Sequence, residues 1–266
     1  MDISHIKLAC FSPTGTTRAI TDAIARGLNH GATQIVDITK PHARSQPLHV
    51  SGNELLVVAV PVYGGRIPPV VASWLRELKG DRTPAVCVAV YGNRAFEDAL
   101  LELKNTLAER GCLPLAGAAF IGEHSFSSAE TPVAVARPDA ADLASAEEFG
   151  RRIRETIAAL PSADRATAVQ VPGHSPYKAL KPPSAIDFLE LSDECKQCGH
   201  CAEACPVGAI DNDNPRLVDQ AACIKCCACI KVCPEQARSV KPGPIKDIAV
   251  RLTTNCQDRK EPEFFL

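Results

Sequence analysis

The sequence predicts an α/β amino-terminal body, built as a doubly wound parallel sheet, followed by a small α+β unit. Three observations predict this. Apolar runs alternate with helical patterns over the first 160 residues, the β-α-β-α order that gives parallel strands joined by right-handed crossovers. Prolines at 161, 172, 176, 182 and 183 then break a stretch with little apolar periodicity. Finally, nine of the thirteen cysteines crowd into residues 195–233, in two matching runs.

Residues 6–10 (IKLAC) read as a buried strand, and a helical pattern through Ala19, Ile20, Ala23, Ile24 and Leu28 follows a turn at 12–17. A second strand is expected at 34–38. Residues 54–61 (ELLVVAVP) are almost continuously apolar, as in a parallel strand covered on both faces. A helix at 70–78, a strand at 84–91, a helix at 95–110, a strand at 115–121 and a helix at 143–160 complete the body. The expected divisions are 1–160 for the body, 161–190 for a linker, 191–242 for the cysteine-rich unit and 243–266 for a tail. As free coil, the linker spans roughly 25–30 Å, enough to bring the second unit back over an edge of the first. The tail ends in Phe264-Phe265-Leu266 and could either dock or fray.

Composition excludes several functions. With 29 basic and 31 acidic side chains the formal charge is −2, so there is no basic excess of the kind that neutralises nucleic-acid phosphates. No apolar run approaches the length of a membrane span, and the start MDISHIKLACF lacks the basic-then-apolar order of a signal peptide. A cytoplasmic protein is expected, with reduced thiols at Cys10, Cys87, Cys112 and Cys256.

The turn at 12–17 (SPTGTT) lies between the first strand and the first helix. Gly15 lets backbone approach a ligand, and the hydroxyls of Ser12, Thr14, Thr16 and Thr17 join helix-start amides around a phosphate. No lysine follows the glycine and G-x-G-x-x-G is absent, which argues against triphosphate and dinucleotide loops. A helix cap is the bland alternative. The third and fourth strands end in Pro61-Val-Tyr63-Gly64-Gly65-Arg66 and Tyr91-Gly92-Asn93-Arg94, on the side where ligands bind in such sheets. Arg66 and Arg94 could attract an anion or sit solvated. His5, His124 and His200 have no partner pattern and are read as non-catalytic, and Trp74 as helix packing.

The carboxy-terminal runs, C-x2-C-x2-C-x3-C-P at 195–206 and again at 223–234, align over sixteen positions at an offset of 28. A [4Fe–4S] cube takes four thiolates, and two four-cysteine runs exceed what a zinc site uses. Cys227 faces Gly199 in the repeat and reads as a small core residue or a free thiol.

These runs resemble the bacterial-type two-[4Fe–4S] ferredoxins. That resemblance implies crossed ligation: Cys195, Cys198, Cys201 and Cys233 hold one cluster, and Cys223, Cys226, Cys229 and Cys205 the other. The S-x-T-G-x-T stretch is similar to the phosphate loop of flavodoxins, implying a flavodoxin-like fold and FMN. The implied FMN contacts are Ser12, Thr14, Gly15, Thr16 and Thr17 at the phosphate, with Pro61, Tyr63, Gly64, Gly65, Tyr91, Gly92 and Asn93 around the ring. Tyr63 or Tyr91 would stack on it. The chain as a whole resembles the flavodoxin–ferredoxin fusion proteins of anaerobes, which implies electron transfer with ferredoxin- or flavodoxin-type redox partner proteins. Two alternatives stay open: a flavin-dependent reductase of a small acceptor such as a quinone or nitro compound, and a cluster-bearing scaffold whose flavodoxin-like part is empty.

Overall fold

The computed structural model describes residues 1–162, 165–180 and 185–266. Linker positions 163–164 and 181–184, with Pro182 and Pro183, lie outside the described residues.

The body carries strands β1 (His5–Cys10), β2 (Thr33–Asp37), β3 (His49–Val50), β4 (Glu54–Pro61), β5 (Lys79–Gly80), β6 (Thr83–Tyr91) and β7 (Cys112–Ile121). Its helices are α1 (Thr16–Leu28), α2 (Pro69–Leu75), α3 (Ala99–Glu109) and α4 (Ala140–Ala159). The main sheet runs β2-β1-β4-β6-β7 with all neighbours parallel. Counted by these five strands the order is 2-1-3-4-5, the flavodoxin-like doubly wound topology, whose switch point lies between β1 and β4.

Side-chain alternation in β4 explains the two cores. Leu55, Val57 and Ala59 face α1 and α4, packing with Ile20, Ile24, Phe149 and Ile153. Leu56, Val58 and Val60 face α2 and α3, packing with Val71, Trp74, Leu100 and Leu103. Trp74 is therefore core, as its helical spacing suggests, and its indole N–H reaches the Gln46 carbonyl at 3.3 Å. Helices α1 and α4 touch backbone to backbone. A Cβ on Gly27 would meet the Glu147 carbonyl oxygen at 1.9 Å, and one on Gly150 the Ile24 carbonyl oxygen at 2.3 Å. Only glycine fits at either crossing point.

The described linker residues are fastened down instead of hanging free. Val169 donates its amide to the Pro114 carbonyl at 2.9 Å, the Tyr177 hydroxyl accepts from Asn105 at 2.8 Å, and buried Asp98 accepts amides of His174 and Lys178. The cysteine-rich unit contains β8 (Leu189–Leu191), α5 (His200–Ala204), α6 (Ala228–Lys231) and β9 (Arg238–Val240), with β8 and β9 antiparallel. Residues 243–266 carry α7 (Pro244–Asn255) and β10 (Glu263–Phe265). Strand β10 pairs antiparallel with β7, so the chain end docks and the sheet becomes mixed. Phe264 lies nearly stacked on Phe149, centroids 5.0 Å apart, and tilted to Phe120 at 5.6 Å.

Truncating that part-buried ring removes apolar contact and two aromatic pairs, an effect of about 1–3 kcal/mol. We expect Phe264→Ala to speed amide exchange of Gly117–Ala119 in β7 at least fivefold while leaving exchange in β1 unchanged, as read by hydrogen–deuterium exchange.

Candidate redox centre

Strand carboxyl ends converge on one cavity of about 260 Å³. Thr14, Thr16 and Thr17 line it from the first loop, Pro61, Tyr63 and Gly64 from the β4 end, and Tyr91 and Gly92 from the β6 end. Gly15 caps α1 in a left-handed conformation, φ 87°. The first amides of any helix have no intrahelical acceptor; here the Arg18 amide is capped by the Ser12 hydroxyl at 2.9 Å, which leaves the Thr16 and Thr17 amides to face an anion. Tyr63 and Arg66 close a tight two-glycine turn through paired backbone bonds of 2.9 and 3.2 Å, both glycines having positive φ.

Four of the expected contacts do not line the cavity. Ser12 is committed to its capping bond, and its amide donates to Thr39 Oγ1 at 2.8 Å. Gly15 is exposed behind the loop. Gly65 backs onto Glu97, whose carboxylate a Cβ would strike at 1.8 Å. Buried Asn93 donates to the Cys256 and Asp258 carbonyls, both at 2.9 Å, so it anchors the end of α7. Both arginines left open by the sequence are spoken for: Arg66 forms a bidentate pair with Glu102 at 2.7 Å, and Arg94 pairs with Glu97 at 2.7 Å.

The cavity also has walls that the sequence reading missed. Gly122, Glu123, His124, Ser125 and Phe126 follow β7, a third strand end that the carboxyl-end rule covers as fully as β4 and β6. His124 accepts the Phe126 amide on Nδ1 at 3.0 Å, which leaves the proton of the neutral ring on Nε2. Burial, aided by the charges of Arg94 and Lys231, pushes its pKa down to about 4. The remaining wall is Ile224 and Lys225, which stand between Cys223 and Cys226 in the second cysteine run.

The cysteine-rich unit keeps its repeat in three dimensions. Positive φ recurs at the offset of 28: Gln197 and Lys225, Gly199 and Cys227, Gly208 and Gln236. Such turns aim successive amides into a concavity that suits anionic sulfur. One small cavity is lined by Cys205, Cys223, Cys226 and Cys229, and a second by Cys195, Cys198, Cys201 and Cys233. Among the described residues, no three His, Cys, Asp or Glu side chains gather to hold a single ion. Cys227 also borders the first cavity, yet its thiol is 2 % exposed and packs with Phe188 and Ile245, so it is a core residue. The two cysteine sets differ in exposure. In the outer set Cys198 is exposed, Cys195 and Cys233 are half-buried and Cys201 is buried; in the inner set Cys205, Cys226 and Cys229 are buried and Cys223 is half-buried. Lys231 ties this unit to the body through Glu123 at 2.6 Å and the Ser127 carbonyl at 2.9 Å.

Comparison with known proteins agrees with the second unit directly. The 4Fe-4S dicluster domain family matches residues 188–257. Ferredoxin-2 of Chlorobaculum tepidum is 37 % identical over 51 residues, covering 16 % of this chain and 82 % of that protein. Ferredoxin-3 of the same organism is 34 % identical over 55 residues, covering 18 % and 89 %. Among solved structures, a flavodoxin of Streptococcus pneumoniae (15 % identity, 57 % of this chain, 99 % of that one, TM-score 0.42) and oxidised flavodoxin 2 of Bacillus cereus (16 %, 57 %, 99 %, 0.42) overlie the body. For the body, the strand order itself fixes the fold. Through its second unit the chain belongs to the ferredoxin family of the [4Fe–4S] dicluster type, fused behind a flavodoxin-like sheet. Among the described residues no helix is long and apolar enough to cross a membrane.

The depressed His124 pKa makes an acid-side prediction. Unfolded chains protonate this ring near 6.5, but the native site resists it until about 4. The unfolded state thus binds more protons in that window, and stability falls as pH drops from about 6.5 towards 4. His124 15N ring shifts should stay flat from pH 8 to 5.5 with Nε2 protonated; a midpoint near 6.5 would show the ring to be solvated.

Proposed function

We propose that this protein is a one-electron relay in which two [4Fe–4S] clusters serve an FMN in the same chain. The observation that carries the reading is the shared wall: Ile224 and Lys225 border the strand-end cavity and stand between two of the cysteines proposed to hold a cluster. Anything seated in that cavity is separated from the cluster site by one stretch of backbone.

The residues present fit such a group. Cys205, Cys223, Cys226 and Cys229 would hold the inner cluster, and Cys195, Cys198, Cys201 and Cys233 the outer one, each set lining its own cavity. The Thr16 and Thr17 amides and the threonine hydroxyls offer neutral donors to a monophosphate. Tyr63, at the cavity wall beside Cys226 and Cys227, is placed to cover a flavin ring on the cluster side, and burial pushes its phenol well above the usual range. It therefore stays a neutral, uncharged wall. Tyr91 is 4 % exposed and packed against Phe96, so stacking falls to Tyr63. His124 keeps a neutral N–H donor at the opposite wall. FMN, when bound, supplies the junction between paired and single electrons.

Exposure sets the direction of access. The outer set includes exposed Cys198, so a redox partner protein meets the chain there, and the more buried inner set lies on the way to the flavin cavity. Removing cysteines one at a time tests the pairing. Cys205→Ser should alter the same cluster as Cys229→Ser, and Cys233→Ser the same one as Cys201→Ser, by electron paramagnetic resonance of the reduced protein. Anaerobically prepared protein should hold about eight irons and one FMN per chain. Thr14→Val with Thr16→Val should weaken FMN about tenfold without loss of iron. Eight irons with no flavin would leave the clusters and remove the relay.

A further inference from the structure

Arg238 is an unusual charge to find where it lies. It opens β9, pairs with Leu191 of β8, and is 4 % exposed. Its side chain lines the cavity of the outer cysteine set. One guanidinium nitrogen donates to the Pro215 carbonyl, but Nε is buried without a hydrogen-bond partner. Among the described residues no carboxylate pairs with it. A guanidinium stays protonated at any accessible pH, and a buried charge with neither ion pair nor full hydrogen bonding is strongly destabilising. The site therefore demands an anion. A [4Fe–4S] group held by four thiolates is negative in both of its redox states, and becomes one charge more negative on reduction.

The repeat sharpens the point. At the offset of 28, the counterpart of Arg238 is Ile210. Ile210 is buried, lines the cavity of the inner set, and bridges to Val218 much as Arg238 pairs with Leu191. The two cavities differ at several lining positions, with Lys196, His200 and Glu235 at the outer site against Ile224, Ala228 and Val207 at the inner one; where both counterparts are buried, at Arg238 and Ile210, a cation at the outer site replaces an aliphatic side chain at the inner one.

We propose that Arg238 is a potential-setting residue that makes the outer cluster the more easily reduced of the pair. Its fixed positive charge and free Nε–H stabilise the electron added to that cluster; the apolar Ile210 wall offers the inner cluster neither. The greater exposure of the outer set acts in the same direction, since water also stabilises the added charge. One electron arrives from a one-electron donor, and no proton or bond is exchanged. Arg238 borders the cavity of the outer set and not that of the inner one.

This inference rests on the proposed ligation, and iron and sulfide content separates the two. In wild-type protein with about eight irons, anaerobic redox titration followed by electron paramagnetic resonance should resolve two clusters. Broadening by a water-soluble relaxing agent should mark the more easily reduced one as exposed. Arg238→Met should make that cluster at least tenfold harder to reduce, about 59 mV for one electron, while shifting the other much less. Arg238→Lys, which keeps the charge, should recover most of the difference. If the Met variant fails to retain iron, Arg238→Gln gives the same reading with a buried donor but no charge. A purely structural arginine would change iron content or thermal stability and leave the potentials in place. Full iron with unmoved potentials in the Met or Gln variant overturns the proposal; fewer than eight irons in the wild type overturns the ligation and the proposal together.

Discussion

Ile224 is held by two structures at once. Cys223 before it and Cys226 after it fix it to the inner cysteine set, while its side chain packs on the core beneath the sheet's carboxyl edge. A cavity at the ends of parallel strands is ordinarily open to water on its far side. Here that side is covered by the loop that carries cysteines, and the cover cannot shift without disturbing either the core or the sulfur site. The surrounding contacts reinforce one placement: Arg44 reaches the Pro206 carbonyl at 2.5 Å, Lys40 reaches that of Glu203, and Lys246 pairs with Glu130 at 2.5 Å. Single peripheral contacts of this kind, two hydrogen bonds to carbonyls and one ion pair, add little individually. Their value lies in orientation, because electron transfer depends on how near the centres are kept.

Much of this was legible in the sequence because the signals were local. An apolar run such as residues 54–61 can only be a covered strand, and its bounds agree with β4. The loop at 12–17 declared itself by chemistry, and three of its threonines do line the cavity. The cysteine repeat was visible as spacing, and the paired positive-φ residues show that equal spacing produced equal backbone. Spacing could not tell which members of a loop face inward. Asn93 and Gly65 sit in the right loops, yet one serves α7 and the other makes room for Glu97. His124 reads from sequence as non-catalytic for want of a partner pattern, and no motif marks Phe126, although the strand-end rule reaches both once β7 is placed. Ile224 and Lys225 had no local signal at all, since their role exists only when the two units are packed.

The same limit explains the linker and the tail. Prolines and poor periodicity describe a segment without its own secondary structure; they do not say whether it is bound. Val169 and Val171 give the segment apolar purchase on the body, buried Asp98 collects two of its amides, and Phe188 packs against Cys227 and Ile245 of the following unit. The short tail holds three residues of strand, too few to register as a pattern against a neighbour more than a hundred residues away.

That last pairing has a consequence for biosynthesis. Strand β7 leaves the ribosome early, and the parallel sheet can assemble behind it. Among the described residues, the edge it presents at Gly117–Ala119 is matched by β10, about 140 residues later, or roughly 7–28 s of synthesis at ordinary rates. Through that interval an apolar strand with unpaired amides is open to any passing strand. The nascent chain therefore carries its greatest risk of misassociation while the cysteine runs are being made, and closes that exposure only when Phe264 has packed against the Phe120–Phe149 pair.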